Sequence, residues 1–287
     1  MATFTYAHSL EQLLWACHLN VSFPFVEDGY VYPHPLFGTV ALNLLHKRLQ
    51  RIDPDNRLYS DPCNMIHFPF PFIGSQLPSD RFDFDFGEYY FEYMGRTAFS
   101  TVMDTVKELK IGGFSRLYIQ GTMGYGKSHI LAAIAGLLSR DGKRVVYLPD
   151  SRELVANTMR YMRTALLCAF ADPDSSDMRD EIRALESKDS IIAFCEKHQD
   201  VYFIIDQMSA LDFEETNGDA VVNTEKAAVR VLLDNLTSGQ YRITSASANH
   251  QTAMHMASKQ RGEKKLALMG GMSEVSKCSS HSFVVSF

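Results

Sequence analysis

The sequence lacks several features that would place the chain among membrane, secreted or nucleic-acid-binding proteins. Its 287 residues include no apolar run of about 18 residues, the length that starts to predict a membrane-spanning helix. Residues 1–20 show neither a basic segment nor a continuous apolar segment, so no standard secretory signal is visible. A net charge of −6 excludes a global positive field that would attract nucleic acid or an anionic membrane. We therefore expect an intracellular protein, cytoplasmic or nuclear, without membrane binding or direct nucleic-acid binding.

Closely spaced cysteines are also missing. The five cysteines are odd in number, and no two of them form a C-x-x-C pair. This pattern predicts reduced thiols, because disulfide frameworks and zinc sites depend on paired or closely spaced cysteines. Cys168 and Cys195 lie in apolar helical stretches and are expected to be small core residues.

Prolines are scarce after residue 80, where only Pro149 and Pro173 of the ten in the chain occur. Residues 1–90 therefore form a distinct N-terminal region that is rich in proline and aromatic residues. It could be a module that binds a protein partner. We favour an irregular extension that packs on the main domain through aromatics such as those of 68–72.

Strand-like and helical patterns alternate through residues 91–275. Short apolar runs rich in strand-forming residues occupy 116–120, 144–148, 201–205 and 241–248. Helical periods separate these runs, which predicts an α/β fold, a three-layer α-β-α sandwich with a mainly parallel sheet. Ligands of such sheets bind outside the carboxyl ends of the strands. Residues 276–287 show no period and are expected to form a short unstructured tail.

The most informative motif follows the run 116–120, and it reads Gly121-Thr122-Met123-Gly124-Tyr125-Gly126-Lys127-Ser128. It fits G-x-x-x-x-G-K-[ST], the P-loop whose backbone N–H groups surround the phosphates of a nucleotide. Glycines allow positive φ and a close approach to phosphate, and the start of the following helix favours negative charge. In this pattern Lys127 reaches the β- and γ-phosphates and the Ser128 hydroxyl binds Mg²⁺. The sequence thus predicts a P-loop NTPase fold that binds ATP, or another nucleoside triphosphate, with Mg²⁺.

A second candidate site residue, Asp206, follows the apolar run 201–205 in the hhhh-D pattern of a Walker B strand, which holds Mg²⁺ from the opposite side. Gln207 comes next, where ATPases of the AAA+ type usually have a glutamate that deprotonates water. An amide can orient water but cannot take its proton. Asp212 and two glutamates shortly after it could supply a carboxylate, and their spacing selects none of them. Hydrolysis is therefore expected to be weak or conditional.

A third element is the run of small residues 245–249, which fits a strand between the P-loop strand and the strand that precedes Asp206. Asn249 would then face the γ-phosphate and report its presence. Equally, Asn249 could be a turn former before the next helix. We list it as a candidate catalytic residue with both interpretations open.

Cationic side chains could also serve the site. Arg230, Arg242 and Arg261 are candidates for an arginine finger, and the sequence does not choose among them. The basic run 259–265 could present a cation to a phosphate or to DNA, although such runs are more typical of solvated loops.

Together these motifs resemble the P-loop ATPase domain of Crinkler-type proteins, effectors of oomycetes and fungi that are related to retrotransposon-hot-spot proteins. The resemblance covers roughly residues 90 to 275 and rests on five segments: 93–96 with Arg96, 121–128, 143–150, 203–207 and 245–249. In that family, glutamine after the Walker B aspartate is usual. The Gly95-Arg96 position resembles the segment before the P-loop in AAA+ and STAND ATPases, which packs beside the adenine, so Arg96 is a candidate cofactor-binding residue.

The resemblance implies more than nucleotide binding. Family members have an N-terminal header for delivery into a host cell and a C-terminal effector domain, and this chain shows neither clearly. Relatives continue beyond residue 274 into a helical lid with a sensing arginine, so the C-terminal lid is expected to be missing here. A chain of this family would reach its host without a visible standard signal peptide.

The expected function is therefore a Mg-ATP-binding, nucleotide-dependent switch with weak or conditional ATPase activity. The chain could form a homo-oligomer. One alternative is a non-hydrolysing, nucleotide-switched module that binds a protein partner through residues 1–90. A small-molecule kinase is a further alternative, which the polar end of the run 241–249 disfavours.

Overall fold

A five-stranded parallel sheet is the central feature of the fold. The structure is a computed structural model, and it describes residues 25–27, 30–32, 38–74, 77–84, 89–212, 220–247 and 262–268. The strands of the sheet are β5 (Arg116–Gly121), β6 (Arg144–Leu148), β7 (Val201–Ile205), β8 (Tyr241–Ser247) and β9 (Glu263–Leu268). Their spatial order is β6-β7-β8-β5-β9. The predicted α/β class and parallel sheet are confirmed.

Helices connect the strands of this sheet. They are α4 (Lys127–Arg140), α5 (Ser151–Ala156), α6 (Thr158–Ala169), α7 (Ser176–Arg183), α8 (Lys188–Lys197) and α9 (Ala220–Leu236). Every residue of α4 from Ile130 to Leu138 is buried, as its continuous apolar run predicts. Helices packed on a parallel sheet are consistent with a three-layer α-β-α sandwich. Among the helices in the described ranges, none is both long enough and apolar enough to cross a membrane.

The chain before the sheet contains short elements of its own. These are β1 (Phe25–Glu27), β2 (Tyr30–Tyr32), α1 (Thr39–Leu49), α2 (Asn56–Ser60), β3 (Met65–Pro69), β4 (Tyr90–Met94) and α3 (Ala98–Lys107). Strand β3 pairs with β4 in an antiparallel ladder that runs from Met65 opposite Met94 to Pro69 opposite Tyr90. This ladder spans the boundary predicted at residue 90, so the two sides of that boundary share a sheet.

Aromatic side chains attach this N-terminal region to the main sheet. Phe68, Phe70 and Phe72 are each exposed by no more than 1%. The Phe70 ring lies 5.8 Å from that of Tyr147 on β6, and the Phe72 ring lies 5.2 Å from that of Tyr161 on α6. The prediction that the region packs on the main domain through its aromatics is confirmed, and a role in partner binding stays a prediction.

The basic run 259–265 departs from its prediction as a solvated loop. Residues 263–265 begin β9, which lies parallel to β5 at the sheet edge. Leu266 and Leu268 pack against the core, whereas Lys264 forms an ion pair with Glu108. The three charged residues that begin this edge strand hid the alternation that would have indicated a strand.

The cysteines follow their prediction in part. Cys168 and Cys195 are buried free thiols, and burial raises the pKa of each to about 12. The exposed Cys63 is disulfide-bonded, so the prediction of reduced thiols is wrong for this residue. Sequence spacing does not reveal pairing between cysteines that are distant along the chain.

Candidate functional site

The predicted P-loop joins the carboxyl end of β5 to the amino end of α4. Gly124 and Gly126 have φ angles of 83° and 85°, in the left-handed region that glycine enters without steric cost. Gly126 is the N-cap of α4. The first N–H groups of a helix have no intrahelical partner, so this backbone can donate hydrogen bonds to an anion above the sheet edge.

Two glycines of the loop also permit close packing. A Cβ atom on Gly121 would lie 2.5 Å from the carbonyl oxygen of Leu268, and one on Gly126 would lie 2.7 Å from Arg96 Nε. The backbone N–H of Arg96 donates to Tyr59 O at 2.8 Å. The Arg96 guanidinium, predicted beside the adenine, thus lies against the last glycine of the loop.

Lys127 folds back over the loop that precedes it. Its Nζ donates to Gly121 O and to Thr122 O, both at 2.8 Å. Burial lowers the pKa of Lys127, and the charge of Asp206 partly offsets that effect. The lysine is therefore a positive charge within the electrostatic influence of Asp206.

Asp206 is almost completely buried, with 1% of its surface exposed. Its Oδ1 accepts hydrogen bonds from Ser245 Oγ and, at 2.8 Å, from the Gln207 N–H. Ser245 lies on β8, which separates β5 from β7 as the sequence predicts for the run 245–249. The structure thus brings the end of the P-loop strand and Asp206 to the same edge of the sheet.

Gln207 follows Asp206 with an unusual backbone conformation. Its φ of 56° lies in the left-handed region that non-glycine residues seldom adopt. With the amide oxygen facing the guanidinium of Arg81, Gln207 accepts from Nη1 at 2.7 Å and from Nε at 3.2 Å. The side chain at the position of the usual AAA+ base is therefore held by a cation.

Arg81 is a site residue that the sequence did not predict. Its Nη1 donates to Asp206 Oδ2 at 3.2 Å, and its Nη2 donates to Asp150 Oδ2 at 3.0 Å. Asp150 is 3% exposed and caps α5 by accepting from Arg152 N at 2.9 Å. An arginine in a polar turn of the N-terminal region carries no sequence signal for this contact.

The other arginine candidates lie elsewhere. Arg230, a candidate arginine finger, forms an ion pair with Asp212, a candidate carboxylate. These two candidates therefore contact each other. Arg242 pairs with Asp234 and lies beside Arg116 at the amino end of β5, the end of the sheet opposite the P-loop. Arg261 and Asn249 lie outside the described residues.

His129 directly follows Ser128 and is enclosed by aromatic rings and cations. Its ring stacks on Phe82 with the centroids 4.6 Å apart. Burial lowers its pKa to about 4, and the positive charges of Arg96 and Arg81 act in the same direction. The folded protein therefore holds this imidazole neutral at pH values where an unfolded chain would protonate it.

This shift predicts a specific loss of stability in acid. Because the unfolded state binds the proton first, the contribution of His129 is intact above pH ~6.5 and falls as the pH drops towards ~4, by about 3 kcal/mol in total. Urea unfolding of the wild type and His129→Phe at pH 7 and pH 4.5 measures this loss. We expect a smaller pH dependence in the variant, and an equal dependence in both proteins would contradict the prediction.

Asp206 and Ser128 are residues at this edge with side-chain oxygen atoms that could hold a metal ion. Within the described ranges, no group of three or more His, Cys, Asp or Glu side chains is placed to hold a metal ion. Mg²⁺ is usually bound by one or two carboxylates together with substrate phosphates and water. The buried Asp206 carboxylate, which follows β7, and the Ser128 hydroxyl in α4 offer oxygen atoms of that kind.

The site therefore combines a glycine-containing loop at a helix N-terminus, a lysine and a buried carboxylate at the carboxyl edge of a parallel sheet. Each of these parts was predicted from local sequence. Arg81, from the N-terminal region, is an additional residue of the site that local sequence did not predict. Comparison of the chain with protein-family models and with curated protein sequences finds no match to either.

Proposed function

We propose that this chain binds a nucleoside triphosphate, with ATP the expected one, together with Mg²⁺ through a P-loop. One observation carries the proposal: the octet 121–128 has left-handed glycines at the start of α4. The strand order adds support, because β8 lies between the strand of the loop and the strand that ends at Asp206. A P-loop NTPase requires this pairing of a loop and a carboxylate across one sheet edge.

Each residue has a distinct expected role. Backbone N–H groups of the loop would bind the phosphates, and Lys127 would leave its two carbonyl partners to reach the β- and γ-phosphate oxygens. Ser128 and Asp206 would hold Mg²⁺, which neutralises phosphate charge when it is bound. Arg96, next to Gly126, is positioned to add a further cation beside the loop.

The contacts of Gln207 favour slow turnover. Its amide can orient a water molecule but cannot accept the proton, and Arg81 holds that amide. A nucleotide-dependent switch that binds without hydrolysing is the second candidate, and this contact is the observation that favours it. Membership of the Crinkler-type group is a proposal supported by the sequence motifs alone, as is a protein partner for the N-terminal region.

Lys127→Ala tests the binding proposal. Loss of a charged hydrogen-bond donor to phosphate is expected to weaken ATP binding by about 10- to 100-fold. Isothermal titration calorimetry with and without Mg²⁺ measures the effect, with the exposed Lys143→Ala as the matched control. Wild-type protein that does not bind ATP at about millimolar concentration, or equal affinities for both variants, would contradict the proposal.

A further inference from the structure

Arg81 occupies a position at the proposed site that its place in the sequence does not explain. It belongs to the N-terminal region, yet its side chain is only 14% exposed and is placed between Asp150 and Asp206. Phe82 beside it is 1% exposed and stacks on His129, which follows Ser128 in α4. The turn 78–82 is closed by the N–H groups of Arg81 and Phe82, which donate to Pro78 O at 3.0 and 3.1 Å.

The guanidinium neutralises the carboxylate on which metal binding would depend. A buried carboxylate is costly without a positive partner, and both Asp150 and Asp206 are buried. The planar fork of arginine has donors for two carboxylates at once. In this arrangement Nη1 is bonded to Asp206 and Nη2 to Asp150, so Asp206 already has a cation.

The two carboxylates differ in what else they contact. Asp150 also pairs with Arg152, whose Nη2 lies 2.6 Å from its Oδ2, and Arg152 extends to Asp80 at 2.8 Å. No contact between Arg152 and Asp206 occurs among the described residues. If Arg81 moved away, Asp150 would keep a cationic partner and Asp206 would be available to another cation.

We propose that Arg81 and Mg²⁺ compete for the Asp206 carboxylate, so that the turn 78–82 gates metal loading of the site. This inference rests on the proposed function for the role of Asp206. Two cations at one carboxylate repel each other, so a Mg²⁺ ion near Oδ2 disfavours the Arg81 contact. The coupling is reciprocal. The Arg81–Asp206 contact weakens Mg²⁺ binding by the same factor by which bound Mg²⁺ weakens the Arg81–Asp206 contact.

Gln207 links this competition to the chemistry of the site. The guanidinium that contacts Asp206 also holds the Gln207 amide. Departure of Arg81 would therefore open the metal carboxylate and release the water-orienting amide in one step. A site without its metal would keep Gln207 engaged, and a loaded site would free it.

The test is Mg²⁺ binding to the full chain of Arg81→Met, without nucleotide and then with ATP. Arg152→Met is the matched control, because it removes a guanidinium from Asp150 and leaves Asp206 untouched. We expect Arg81→Met to bind Mg²⁺ about 5- to 150-fold more tightly than the wild type, the usual range of a coupling between two sites. Its melting temperature should rise on addition of Mg²⁺ alone, whereas that of Arg152→Met should respond as the wild type does.

A second variant allows for poor folding of Arg81→Met. Arg81→Met combined with Asp150→Asn removes one charge of each sign, and asparagine still serves as the N-cap of α5. This double variant should show the same gain in Mg²⁺ affinity. The proposal is overturned if the folded variants respond to Mg²⁺ as the wild type does. It is also overturned if loss of Arg81 weakens ATP binding, since Arg81 would then be a phosphate ligand.

The two proposals fail in different ways. The Mg²⁺-dependent rise in melting temperature is measured without nucleotide, so it tests the competition at Asp206 alone. If Arg81→Met gains Mg²⁺ affinity and no variant binds ATP, the competition stands and the proposed function falls. If ATP binds in a Lys127-dependent manner and the Mg²⁺ affinity of Arg81→Met equals that of the wild type, the proposed function stands and the competition at Asp206 falls.

Discussion

Replacement of Phe70 by alanine is expected to lower the free energy of unfolding by about 3–5 kcal/mol, the usual cost of truncating a buried phenylalanine. The Phe70 side chain is fully buried. Its ring lies 4.9 Å from that of Phe82 and 5.8 Å from that of Tyr147, so it contacts both the segment that carries Arg81 and the main sheet. Few neighbours can move to fill the cavity that alanine would leave. Urea denaturation followed by circular dichroism measures the loss.

The matched control is Phe114→Ala, because Phe114 is 51% exposed and its truncation should change the unfolding free energy by about 0.5 kcal/mol or less. We also expect Phe70→Ala to unfold in a single transition, since the N-terminal region and the sheet share one core. A loss equal to that of the control, or a separate early transition, would show that the N-terminal region is an appendage rather than part of the domain.

Local patterns predicted the sheet because each of its elements has a short-range cause. The run 201–205 is buried at every position, and its continuous apolar character indicated a strand covered on both faces. The small residues of 245–249 predicted a place between the P-loop strand and that of Asp206, and β8 has that place. The glycines of the octet predicted the positive φ angles at positions 124 and 126.

The remaining features depend on contacts that are distant in sequence. Arg81 and Asp206 are 125 positions apart, and nothing in a turn of Pro, Ser, Asp and Arg distinguishes a surface turn from one inserted beside a buried carboxylate. Strand β9 was missed because its lysines lie at a sheet edge, where charge is common. Cys63 was missed for the same reason of distance, since spacing cannot reveal a remote disulfide partner.

Gln207→Glu is expected to raise the rate of ATP hydrolysis by about 100-fold, if the proposed function holds. A carboxylate can take the proton of the attacking water, and a positioned general base contributes about 10²- to 10⁴-fold. The low end of that range is expected because Arg81 holds the residue at 207. A guanidinium next to a carboxylate lowers its basicity. Phosphate release with saturating Mg-ATP measures the rate.

Two further variants distinguish the effect of a general base at position 207 from the effect of its contact with Arg81. Gln207→Met keeps the length of the side chain and removes its polar atoms, so it should hydrolyse no faster than the wild type. Gln207→Glu combined with Arg81→Met should exceed Gln207→Glu alone, because the glutamate would then lack its cationic partner. Equal rates for Gln207→Glu and the wild type, with ATP binding intact, would mean that residue 207 does not face the attacking water. In that case the weak point of catalysis would lie elsewhere, and the left-handed conformation at Gln207 would serve only its contact with Arg81.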